Sequence, residues 1–140
     1  MARRTLDPFV TCHAAFMALD RIVNDESAET IFSGVFDRWR EQSEELLRTI
    51  PTTHGGCYVG LERVALEFRA REDAADDWPG RREALATVVW SYDRLMAKKG
   101  AKAILGPLEG VLAELCELDG EDHPDAVLLA SVIQGIRSLN

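Results

Sequence analysis

The chain has 140 residues and a formal net charge of −8, with 46% hydrophobic and 29% charged residues. That length suits one domain, large enough to bury a core without disulfides or metals. The aliphatic content argues against disorder, the acidity against a nucleic-acid surface, and the lack of any apolar run near ~20 residues against a membrane span.

The first helix is expected from about Pro8 to Asn24, with Asp7 as N-cap and Pro8 in the first helical position. Its apolar stripe is Phe9, Cys12, Phe16, Leu19 and Val23, and His13 lies at the margin of that stripe. Arg3 and Arg4 ahead of an apolar stretch imitate a signal peptide, but Asp7, Pro8 and His13 interrupt the pattern. A second helix, capped by Asp25 or Ser27, should run to about Thr49 and present Ile31, Val35, Trp39, Leu46 and Ile50 on one face.

Pro51 disfavours the helical conformation at Ile50, so the second helix should stop there. Thr52 and Thr53 are N-cap residue types, and a third helix is expected from near Thr53 to about Ala75. Gly56 and Gly60 stand one turn apart and would form a notch for close approach of another helix. Asp76 to Gly80 reads as a turn, with Pro79 opening a fourth helix whose core face is Leu85, Val88, Val89, Tyr92, Leu95 and Met96. Lys98, Lys99 and Gly100 suit its C-terminus. Pro107 is expected to start a fifth helix, with Leu108, Val111, Leu112, Leu115 and Leu118 as its stripe and Gly120 as its end. Residues 101–140 carry seven acidic residues against two basic ones, whereas residues 51–100 balance at eight each. Asp122-His123-Pro124 opens a sixth helix to about Ser138, apolar nearly all round from Ala126 to Ile133. A helix of that kind lies at the centre of a fold or in an oligomer interface. The fold class expected is all-α, an antiparallel bundle of five to six helices in a single domain.

Chemical signals are sparse. The Gly-Lys-Ser/Thr ending of a P-loop, the His-Glu-x-x-His zinc motif and the Glu-x-x-His of di-iron bundles are all missing, and no cofactor is implied. Cys12 with His13, and His54 with Cys57, are the candidate metal ligands, because thiolate and imidazole both bind zinc. Adjacent residues point about 100° apart on a helix, so the i,i+3 pair His54/Cys57 has the better spacing. His54, Gly55, Gly56 and Cys57 are also the candidate ligand-binding residues, since free N–H groups at a helix start favour an anion. Cys57 beside His54 is the one arrangement that suggests a nucleophile. Cys12, Cys57 and Cys116 are an odd, widely spaced set, which suits a reducing, cytoplasmic compartment.

Pro51-Thr52-Thr53 leading into Gly56, followed by Trp90-Ser91-Tyr92-Asp93-Arg94-Leu95, resembles short all-helical proteins common in alphaproteobacteria. Cys57 stands where that group has Leu, and Gly60 where it has a basic residue. The resemblance covers about a third of the chain. It implies a bacterial accessory or mobile-element-associated protein, and it supplies no activity and no catalytic residues. The expectation is therefore a small non-catalytic interaction or regulatory protein that binds another protein through a helical face. A homodimer through the apolar last helix is a further expectation. The alternative is a small-ligand- or metal-binding bundle with its pocket near His54-Gly55-Gly56-Cys57.

Overall fold

The computed structural model describes residues 7–24, 33–71, 78–97 and 100–139, and these form an all-helical bundle. Six helices follow in order: α1 (Pro8–Val23), α2 (Ser33–Arg48), α3 (His54–Ala70), α4 (Arg81–Met96), α5 (Lys102–Asp119) and α6 (Pro124–Arg137). The expected start of the second helix near Asp25, its Ile31 and the last turn expected for the third fall outside the described residues. None of the described helices is long and apolar enough to cross a membrane.

Two helices hold the others together. α3 packs against α1, α4 and α6, and α6 packs against α2, α3 and α5. The sequence of α6 explains its position. Ala126, Leu128, Leu129, Val132, Ile133 and Ile136 are all buried, so they cover more than the single stripe of a surface helix. The glycines fit the same geometry. A Cβ on Gly60 would lie 2.6 Å from Val132 Cγ2, and one on Gly135 would lie 2.5 Å from the Pro51 carbonyl oxygen. Ser131 ties α6 to the end of α2, its hydroxyl 2.6 Å from the Leu47 carbonyl oxygen, one of the acceptors that a helix C-terminus leaves free.

Two helix starts differ from the sequence expectation. α4 begins at Arg81 rather than Pro79. Trp78 is nearly fully buried, with its ring edge-on to Phe68 at 5.2 Å and its indole N–H donating to Glu114 Oε1 at 2.9 Å. The chain turns around this anchor, the Arg81 N–H bonding the Trp78 carbonyl at 3.0 Å. α5 begins at Lys102, five residues before Pro107, which lies inside the helix. The stripe of Leu108, Val111 and Leu115 extends back one four-residue step to Ile104, which is fully buried. Burying Ile104 contributes about 1.5–3 kcal/mol, comparable to the ~3 kcal/mol cost of an interior proline.

The buried face of α4 matches the expected one at Val88 and Leu95, with Leu85 and Tyr92 partly buried against the core, and extends to Ala84 and Ser91. Ala84, Val88, Ser91 and Leu95 are buried, whereas Met96 is 52% exposed. Small Ala84 and Ser91 allow close packing, and the Ser91 hydroxyl is satisfied within the helix by the Thr87 carbonyl oxygen at 2.8 Å. Leu118 on α5 is 48% exposed, outside the stripe expected to include it.

Substituting Gly135 by Ala drives a methyl group into backbone rather than into a side chain that can turn away. Gly135→Ala is expected to lower stability by about 1–3 kcal/mol in urea denaturation. Gly110→Ala, with nothing among the described residues within 4 Å of the added Cβ, is expected to be neutral or stabilising by up to ~1 kcal/mol.

Candidate functional site

The glycine-rich stretch at the start of α3 is built around a carboxylate from elsewhere. Asp7 caps α1 through Oδ1, which accepts from the Phe9 N–H at 2.8 Å. Its other oxygen, Oδ2, accepts from the Thr52 N–H at 3.1 Å, the Thr53 N–H at 2.9 Å and the Thr53 hydroxyl at 2.6 Å. Thr53 in turn caps α3, its Oγ1 accepting from the Gly56 N–H at 2.9 Å. A single carboxylate thus serves two helix starts, whose free N–H groups and dipoles both favour negative charge. Asp7 is only 7% exposed. A Cβ on Gly56 would overlap its carboxylate, so glycine is required there for close approach. The anion that the N–H groups of this stretch attract is supplied by the chain itself.

The four candidate metal ligands are not gathered into one site. Among the described residues, no group of three or more His, Cys, Asp or Glu side chains is placed to hold a metal ion. Cys12 faces α2, where the Gln42 side-chain amide donates to its Sγ at 3.0 Å. His13, its neighbour, points instead along α1, stacked on Phe9 with ring centroids 6.2 Å apart. Burial, with Arg63 nearby, lowers the His13 pKa and favours the neutral ring. His54 opens α3 and its Nδ1 is buried with no hydrogen-bond partner among the described residues. Cys57 is 0% exposed, and burial together with the charge of Asp7 pushes its thiol up to about 12. A thiol held in that state is a core group and a poor nucleophile. Gly55 has room for a Cβ, with Thr53 Oγ1 and the Tyr58 hydroxyl both at 3.7 Å.

A second polar cluster joins the C-terminal end of α3 to the start of α6. Arg71 bonds Asp125 Oδ2 through Nε at 2.7 Å and Asp119 Oδ2 through Nη2 at 2.7 Å. Its guanidinium also lies 5.6 Å from the Trp78 ring centroid. Burial works against the guanidinium's charge, and the two carboxylates more than offset it, so the Arg71 pKa is raised. His123 caps α6, its Nδ1 accepting from the Asp125 N–H at 3.2 Å. No local signal connects residues 54 positions apart.

A broad concavity lies over the outer face of α6, between α5 and the end of α2. It encloses about 510 Å³, with Leu112, Cys116, Ala126, Val127 and Ala130 along its length. Arg48 and Ile50 form one border, and Glu121 and Asp122 lie at the end near the start of α6. Ile50 is 43% exposed because α2 ends at Arg48 and Pro51 turns the chain inward.

No family model, no curated protein and no solved structure matches the chain.

Replacing Asp7 by Ala removes the acceptor for two helix starts at once. The expected loss is about 2–4 kcal/mol in thermal or urea unfolding, with Asp7→Asn intermediate because an amide supplies one acceptor and not two. Alkylation with iodoacetamide at pH 8 is expected to reach half-exposed Cys116 first and to leave Cys57 unmodified in the folded protein. At that pH a thiol raised to about 12 has a thiolate fraction roughly a thousandfold below one of ordinary pKa 9.0. Peptide mapping by mass spectrometry reads both.

Proposed function

We propose that this chain is a small non-catalytic bacterial protein of the cytoplasm that works by binding another protein, holding an amphipathic helix of that partner in the groove over α6. The observation behind this reading is the groove itself, apolar along its length and charged at its borders. Ala126 and Ala130 keep its floor low, and a helix ~10 Å across can settle against it. Glu121 and Asp122 suit a Lys or Arg at one end of the incoming helix, and the net charge of −8 attracts a basic partner at long range. The same charge on a second copy opposes self-association, so another protein is favoured over a homodimer. The three free cysteines support a reducing compartment, and the resemblance carried by residues 51–56 and 90–95 supports a bacterial origin.

A photo-cross-linking amino acid at Ala130, with Glu83 on α4 as the control position, tests the reading in living cells. The expected product is one cross-linked protein, obtained from position 130 and not from position 83, joined through a helical peptide with apolar spacing and basic residues. Adding Val127→Asp should abolish it. Identical products from both positions would overturn the reading, and a product made only of this chain would replace it with a homodimer.

A further inference from the structure

α2 and α3 do not pack on each other among the described residues, although α1 and α6 each pack on both. The gap between them is a cleft of about 200 Å³ on a different face from the partner groove. Phe16 of α1 closes its end and Leu128 of α6 forms its floor, both nearly fully buried. The Phe16 ring is itself fixed on two sides. Trp39 stacks on it with centroids 6.3 Å apart, and the Arg63 guanidinium lies 4.8 Å from its centroid. The cleft is therefore apolar and partly aromatic at depth.

Its rim is charged in a regular way. α2 contributes Arg40 and Glu44, and α3 contributes Arg63 and Glu67, the latter two paired at 2.6 Å. Each wall therefore presents one guanidinium and one carboxylate. The remaining charged side chain, Asp125, is already bonded to Arg71. A ligand with a single charge meets one favourable and one unfavourable group on each wall. A ligand with both charges can satisfy both kinds, and a guanidinium carries five N–H donors, of which Arg63 uses one on Glu67 and one on Met17 Sδ. The volume falls below the ~300 Å³ at which drug-sized ligands begin, and corresponds to about seven waters at ~30 Å³ each.

We propose that this cleft binds a small zwitterion with an apolar body, a free α-amino acid with a large apolar side chain. The side chain would lie against Phe16 and Leu128, the carboxylate against Arg63, and the ammonium group between Glu44 and Glu67. This site stands whether or not the groove over α6 takes a partner.

Titration of the ¹⁵N-labelled protein with L-phenylalanine and L-leucine, followed at the Trp39 indole N–H by NMR, tests it. Phenylacetate, phenethylamine and benzyl alcohol serve as the carboxylate-only, ammonium-only and neutral probes. The expected result is a saturable shift of Trp39, with Trp90 unmoved, for at least one amino acid. The three other probes should bind at least about tenfold more weakly. Ser43→Trp, which fills the mouth from the half-buried wall of α2, should abolish binding. Arg63→Met should weaken it at least about tenfold, and this variant decides the matter if Ser43→Trp loses its helical circular dichroism. No Trp39 shift with either amino acid up to about 10 mM would overturn the proposal. So would equal affinity for the single-charge probes, or binding unchanged by Arg63→Met.

Discussion

The arrangement of the N-terminal half depends on one buried carboxylate. Asp7 ends the free N–H groups of α1 with one oxygen and those preceding α3 with the other. The two helices thereby share a charged, hydrogen-bonded joint. The cost of burying a carboxylate is met by four donors, and charge-assisted bonds of this kind are stronger than neutral ones. Its neighbours follow from it. Gly56 has no room for a side chain, and burial, together with the nearby negative charge of Asp7, keeps the Cys57 thiol protonated. A stretch with the composition of a ligand site is thus a structural joint.

The other organising constraint is α6. It separates α2 from α3 on one side and supports α5 on the other, so the helices around it form two unlike concavities. Toward α5 and the end of α2 the groove is long, shallow and apolar. Toward α1 and α3 the cleft is small and walled by rings and paired charges. Arg71 fixes the start of α6 between them by binding Asp119 and Asp125. The first shape is the one proposed above for a partner helix, and the second the one proposed for a small zwitterion.

The helices were largely legible in the sequence because their ends are marked by local chemistry. Asp7-Pro8 and His123-Pro124 placed the starts of α1 and α6, and Pro51 with Thr53 placed the break before α3. Where the reading slipped, a distant contact outweighed the local signal. Pro107 looked like a start, but burial of Ile104 carries the helix back past it. The core face of α4 was read from its largest residues, which found Val88 and Leu95 and missed Ala84 and Ser91. Polar partnerships were the least legible. Asp7 was recognisable as a cap for its own helix, but its bonds to Thr52 and Thr53 span 45 and 46 positions. Neither concavity has a sequence signature, since each is assembled from side chains on three or four helices.

The position of α6 in the chain has a consequence for how the protein is made. Every helix that α6 supports leaves the ribosome before it does, and Ser131 must reach a carbonyl 84 residues earlier. Until then the inner faces of α2, α3 and α5 have no floor to rest on. Contacts of such long range slow folding, and apolar faces left waiting are prone to aggregate. Nascent chains therefore expose those apolar faces until α6 has emerged.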